Sequence, residues 1–148
     1  MTATAFDIIT GGCACGAIRY ECSAKPLRSV NCHCFDCQKA TGGAYYPEIL
    51  VPKKAVKLTK GAPKYYAVKA NSGTILSRGF CSDCGSPVLI LIGDLPFSSI
   101  AVGSLDDPSW YRPEMNIFIS RAHPWDVMNP DLPQFPEMPP QIDMDENR

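Results

Sequence analysis

The sequence predicts a mainly β protein, built of packed antiparallel sheets organised around cysteine-bound zinc. Three observations carry this. Apolar and polar residues alternate over several short runs. Gly, Pro, Asn or Asp punctuate the intervals between them. Seven of the eight cysteines fall into tight groups, at 13/15, 32/34/37 and 81/84.

The strands follow in order. Residues 17–22 alternate, with Ile18, Tyr20 and Cys22 on one face and Arg19 and Glu21 on the other. Residues 44–51, AYYPEILV, are aromatic and aliphatic, and Pro47 assigns that run to an edge or a bulge because it lacks an N–H for the ladder. Residues 65–69, 74–80, 88–92, 100–102 and 115–120 complete the set. No window has a helical period beyond a turn after Cys37, where Gln38-Lys39-Ala40 runs into Thr41-Gly42-Gly43. Short strands at close intervals suit antiparallel sheets packed in two layers, and no internal repeat of whole domains is visible.

At 148 residues, 45% hydrophobic and 20% charged, the chain suits one globular domain with a real core. Residues 1–129 form that body. Residues 130–148 hold five of the 14 prolines and end in acidic and polar residues. This tail is expected to run extended along the body or along a second subunit of a homodimer, with Phe135 and Met138 as anchors and its last residues disordered. A formal net charge of −1 gives no general attraction to nucleic acid or an anionic membrane. No apolar run approaches the roughly 20 residues of a membrane span. The N-terminal MTATAFDIITGGC has neither a basic flank nor an apolar signal core, so a cytoplasmic location is expected.

In a reducing compartment, clustered cysteines read as metal ligands or catalytic thiols rather than as a disulfide framework. Short spacing aims two sulfurs at one point, as a metal requires. Cys81-x-x-Cys84-Gly85 is such a knuckle, and Cys13-x-Cys15-Gly16 is its natural complement, together supplying the four thiolates of a closed structural zinc. Cys32, Cys34 and Cys37 put three sulfurs within six residues and leave the fourth position of a second zinc for water or substrate. Two alternatives stay open: Cys22 or His33 completing the trio as a fourth ligand, and iron in place of zinc.

Gly12-Cys-Ala-Cys-Gly16, Cys32-His-Cys-Phe-Asp-Cys-Gln-Lys-Ala-Thr-Gly42 and Arg78-Gly-Phe-Cys-Ser-Asp-Cys-Gly-Ser-Pro87 resemble the glutathione-dependent formaldehyde-activating enzyme family. Gly103-Ser-Leu-Asp-Asp-Pro108, Pro113-Glu-Met-Asn-Ile-Phe118 and Trp125 fit the same pattern, so the resemblance covers about residues 10–136. It implies a β-tent, a structural zinc on Cys13, Cys15, Cys81 and Cys84, and a second zinc on Cys32, Cys34 and Cys37. It further implies a carbon–sulfur lyase that joins glutathione to formaldehyde, giving S-hydroxymethylglutathione.

On that expectation the open zinc activates a thiol such as glutathione, which adds to a small aldehyde. His33, between two ligands, is a candidate proton shuttle. Arg78 is the candidate substrate contact, with Arg19 and Lys39 as further possible clamps on glutathione's carboxylates. His123 reads as a residue ordering the turn at Trp125, and Tyr45, Tyr46, Tyr65 and Tyr66 as strand residues. One competing function is a zinc-binding scaffold or interaction module without turnover. The other is a reductase of the methionine sulfoxide type, for which Cys22 is the one cysteine outside the clusters.

Overall fold

The computed structural model describes residues 7–145. The expected disorder of the last residues therefore falls partly on residues 146–148, outside the described residues. No helix among the described residues is long and apolar enough to cross a membrane.

Alternation fixes the first layer. In β2 (Arg19–Cys22), Tyr20 and Cys22 turn inward beside Ile18, and all three are 2% exposed or less. β2 lies between β1 (Ile9–Gly12) and β5 (Val56–Lys60) in a three-stranded antiparallel sheet. The other strands are β3 (Arg28–Cys32), β4 (Tyr46–Pro52), β6 (Lys64–Lys69), β7 (Ile75–Phe80), β8 (Pro87–Ile92), β9 (Phe97–Ala101) and β10 (Met115–Ile117). They form a seven-stranded sheet in the order β10-β3-β4-β9-β8-β7-β6. All its pairings are antiparallel except that of β10 with β3.

The period of two along β4 and β9 divides the interior into two cores, and on β8 a register shift lets Val88 and Leu89 share the first of them. Ile49, Val51, Val88 and Ile100 have no measurable exposure and pack with Ile9, Ile18 and Tyr20 of the small sheet. Each such side chain contributes roughly 1.5–3 kcal/mol of burial. The alternate positions Val30, Cys32, Tyr46, Ile90 and Ala101 belong to a second core, against which Phe118 and Phe135 pack. The only α-helix among the described residues, α1 (Phe35–Thr41), sends Cys37 into this second core.

Several elements depart from the sequence reading. β4 is an interior strand, hydrogen-bonded to both β3 and β9, and not an edge. Pro47 is tolerated because it is the second residue of β4, and the β9 pairing starts only at Glu48. The helix begins before Cys37. Cys34 occupies its N-cap, where its sulfur accepts the Cys37 N–H at 3.3 Å in the role a Ser or Asp oxygen usually plays. β1, β3 and β5 carry no expectation from the sequence. The run at 115–120 stops at Ile117 because Phe118 turns to φ 57°, after which Ile119–Arg121 form a 3-10 turn.

The proline-rich segment lies against β10. Asn116 donates its N–H to the Pro133 carbonyl and accepts from the Phe135 N–H, both at 2.9 Å. Phe135 packs on the second core, whereas Met138 is 50% exposed and anchors nothing comparable. These bonds brace β10, which pairs directly with the strand that ends in Cys32.

Candidate metal centre

Two loops converge at the first cysteine cluster. The β1–β2 hairpin carries Cys13 and Cys15, and the β7–β8 hairpin carries Cys81 and Cys84. Both turns need backbone conformations open chiefly to glycine: Gly16 sits at φ 78° and Gly85 at φ 76°. Their amides close the turns onto the Cys13 and Cys81 carbonyls at 3.2 and 2.8 Å. The four sulfurs then lie within 4.8 Å of one another. Cys13 and Cys15 are 3.6 Å apart, and Cys15 and Cys81 3.7 Å. A tetrahedron with metal–sulfur bonds of about 2.3 Å has edges of about 3.8 Å, so the donor set fits a zinc-sized ion. These separations also exclude sulfur–sulfur bonds, which are about 2.05 Å long.

Neighbouring donors favour the thiolate at Cys13 and Cys84, whereas the surrounding sulfurs push Cys15 up to about 12. The Ile18 N–H points at Cys13 Sγ from 3.2 Å. The Ser86 hydroxyl and backbone N–H hold the Cys84 thiol down at about 5. Cys13 and Cys81 belong to the core between the sheets, while Cys15 and Cys84 are exposed. A metal held by all four would therefore cross-link the two layers.

The second cluster lies on the opposite face of the large sheet. Cys32 ends β3, Cys34 caps α1 and Cys37 is on its first turn. Their sulfurs lie within 4.8 Å of one another, and no fourth His, Cys, Asp or Glu among the described residues joins that set. The three share a proton economy: S–H groups of Cys32 and Cys37 hold Cys34 as thiolate, down at about 2. The Cys32 thiol is driven far up by its two sulfur neighbours and by burial. Arg78, on β7, donates from Nη2 to Cys37 Sγ at 3.3 Å.

Neither alternative fourth ligand reaches the trio. Cys22 is fully buried in the other core, donates to the Ala24 carbonyl at 3.5 Å and has its pKa raised by burial. It is a packed, unreactive thiol, which also removes the support it lent to a sulfoxide reductase. His33 is fully buried as well. Its Nδ1 lies 2.6 Å from Asp126 Oδ2 and its Nε2 2.8 Å from Asn116 Oδ1. Both ring nitrogens are therefore engaged by side chains outside the trio.

The loop is secured from a second direction. Gln38 donates from Nε2 to the His33 carbonyl at 2.8 Å and to the Arg121 carbonyl at 3.1 Å, and its Oε1 meets His123 Nε2 at 2.8 Å. His123 stacks on Trp125 with 5.2 Å between centroids. Trp125, 66% exposed, and Phe35, 58% exposed, make an aromatic rim beside α1.

The sequence reading gives no role to Glu48, Ser99, Asn116 or Asp126, and takes Tyr46 as a strand residue. Glu48 shares a β4 face with Tyr46 and Leu50, and a carboxylate on an apolar face is the signal that could have found it. Burial pushes its carboxyl up to about 7, against the opposing pull of the Ser99 hydroxyl, which donates at 2.9 Å, and of the Arg78 charge. Of the other expected clamps, Arg19 pairs with Asp106 at 2.8 Å and Lys39 is exposed at the end of α1. A groove of about 560 Å³ lies between the first cluster and the C-terminal end of α1, and Tyr46 lines it together with Cys13, Thr41 and Ser104.

The fold and these clusters define a class: a mainly β protein of packed antiparallel sheets, with two thiol clusters that could hold metal ions. Residues 8–121 match the family model described as glutathione-dependent formaldehyde-activating enzyme, and the chain belongs to that family. Its fold is shared by the crystal structure of a Rhodobacter sphaeroides protein, a structural genomics target, with a TM-score of 0.53. That protein is 16% identical, and the match covers 85% of this chain and 98% of the other.

Proposed function

We propose that the protein is a zinc enzyme that joins glutathione, or a related thiol, to formaldehyde or a similar small aldehyde, a carbon–sulfur lyase-type reaction. Family membership supports the reaction class. The observation that carries the site is the gathering of Cys32, Cys34 and Cys37 sulfurs within 4.8 Å, without a fourth protein ligand among the described residues. On this reading two zinc ions bind, one on Cys13, Cys15, Cys81 and Cys84 and one on the trio. The second zinc, when bound, supplies Lewis acidity that lowers the pKa of a thiol entering its open position.

The protein's own residues do the rest. Cys32 and Cys37 are 6% and 2% exposed, so the reactants meet on a largely dry floor where polar contacts are strong. The N–H that Arg78 donates to Cys37 Sγ would temper the negative charge of the trio once a metal holds it as three thiolates. His33 is a positioning residue: through Asp126 and Asn116 it fixes the loop that carries both Cys32 and Cys34. Glu48, with its carboxyl near 7, can hold or release a proton beside the site at neutral pH. A cytoplasmic setting would keep the thiols reduced.

The test is loss of free thiol when formaldehyde and glutathione are mixed with the metal-loaded protein. The rate should exceed the spontaneous reaction, and Cys34→Ser or a chelator should bring it back. Metal analysis should give two zinc ions, one removed much more readily than the other. No rate above the spontaneous one would leave the non-catalytic zinc scaffold as the function.

A further inference from the structure

Three buried side-chain nitrogen or oxygen atoms among the described residues have no hydrogen-bond partner: Arg78 Nε, Arg78 Nη1 and Tyr46 Oη. They are not scattered. Arg78 is the residue whose Nη2 donates to Cys37 Sγ, and Tyr46 stands directly opposite Cys32 in the β3–β4 register. The guanidinium carbon lies over the Tyr46 ring, 5.7 Å from its centre, so the two side chains are neighbours. Tyr46 is 1% exposed and packs in the same core as Cys32 and Cys37.

Unpaired buried polar groups are costly, and their concentration at one point of a fold marks a place built to receive a partner. The donor inventory names that partner's chemistry. A guanidinium offers N–H groups and no acceptor, and a phenol offers O–H. What fits between them is an oxygen that accepts hydrogen bonds, and more strongly as it gains negative charge. Position narrows the choice. In the thiol–aldehyde adduct a single carbon separates the oxygen from the sulfur, whereas glutathione's carboxylates sit at the ends of its flexible arms. Donors this close to the trio match the first oxygen and not the second.

Resting on the proposed thiol–aldehyde reaction, we propose that Arg78 and Tyr46 bind the carbonyl oxygen of the aldehyde and stabilise it as charge develops there. A sulfur lone pair forms the carbon–sulfur bond while the carbonyl π bond breaks. The π electrons move onto the oxygen, where Arg78 and Tyr46 donate to it. The proton lost by the thiol ends on the same oxygen, so the product is a neutral hydroxymethyl thioether and nothing is oxidised or reduced. The role differs from the carboxylate clamp that the sequence suggests for Arg78, and it brings in Tyr46, which the sequence reads as an ordinary strand residue.

Two measurements on the metal-loaded full chain separate this proposal from the reading it rests on. Formate, which presents the same kind of oxygen acceptor on one carbon, serves as the probe in titration calorimetry. Wild-type protein should bind it, and Tyr46→Phe and Arg78→Lys should each weaken binding at least tenfold. In steady-state assays Tyr46→Phe should raise KM for formaldehyde or lower kcat at least tenfold, with KM for the thiol unchanged. Tyr46→Phe is the decisive variant because the hydroxyl it removes has no partner whose loss would disturb the fold. Equal formate binding by wild type and Tyr46→Phe, or no binding by either, overturns the proposal. Turnover by wild type that Tyr46→Phe leaves unchanged also overturns it, with the thiol–aldehyde reading intact. Formate binding lost in Tyr46→Phe, in a wild type without turnover, sinks that reading and leaves the oxygen site standing.

Discussion

Severing the first cluster tests whether it holds the two sheets together. Cys15 and Cys84 are exposed and contribute little packing, so a Cys15→Ser, Cys84→Ser double variant removes one ligand from each side with small effects elsewhere. The magnitude follows from the length of chain the cluster closes. Cys15 and Cys81 are 66 positions apart. Treated as a cross-link of the unfolded chain, a closed loop of that length contributes about 4 kcal/mol at 25 °C. Because metal binding to such a site is coupled to folding, this is part of the stability that depends on the ion. Against a typical total of about 5–15 kcal/mol, the double variant should be marginal at 37 °C. Urea unfolding of wild type and variant, with and without a chelator, measures the difference. Wild type should lose about 4 kcal/mol or more on chelation, and the variant should start low and lose much less. A variant within about 1 kcal/mol of wild type, or an equal response of both to the chelator, would mean that the cluster does not join the layers through a metal.

Three further outcomes follow from the second site. Tyr46→Phe removes a buried hydroxyl without a partner and should leave folding stability unchanged or raise it by about 1 kcal/mol in urea unfolding, although activity falls. Glu48→Gln should flatten the pH dependence of stability. The Glu48 carboxyl is raised in the folded protein to about 7, so its contribution is full below the ordinary carboxyl range and is lost as pH rises through 7. That loss is about 3 kcal/mol, and a difference between wild type and Glu48→Gln that stays constant from pH 4 to pH 8 would refute it. Asp126→Asn breaks the pair with His33, whose partners are 3% and 0% exposed, and should weaken metal binding at the trio roughly tenfold while sparing the first cluster. Competition with a chromophoric chelator reads the two sites separately, and an equal effect on both would reject the positioning role.

The strands that the sequence makes visible are those with a clear period and apolar content, such as 19–22 and 88–92. β3 escapes because Ser29 and Asn31 make it look polar, and both are buried at 8% exposure. Its amide at Ser29 bonds to Glu114 at 3.1 Å, and Asn31 accepts from Tyr111 at 2.9 Å, so distant residues satisfy it. β1 escapes because Gly11 and Gly12 cut short the strand signal that Ile9 and Thr10 carry. Gly12 is required for another reason, since a Cβ there would come within 2.1 Å of the Ile18 carbonyl. β5 has a legible alternation of Val56 and Leu58 with lysines and Thr59, but most of it is an exposed edge. Pro47 misleads in the opposite direction, because the effect of proline in a strand depends on where the neighbouring ladder begins.

The cysteine spacings pointed to the pairs 13/15 and 81/84 and to the trio, because each of these closes on a local turn, but that the two pairs meet and that neither Cys22 nor His33 joins the trio came from the tertiary structure. Composition and alternation likewise carried the mainly β class, through a period of two that each short strand repeats. What surrounds the trio came only with the tertiary structure. Arg78, Tyr46, Glu48 and Ser99 lie on three different strands, and Asp126 reaches His33 across 93 positions of chain. Which of them end up buried, paired or left without a partner depends on sheet order and register, and those are set by packing across the whole sheet rather than by any stretch of sequence.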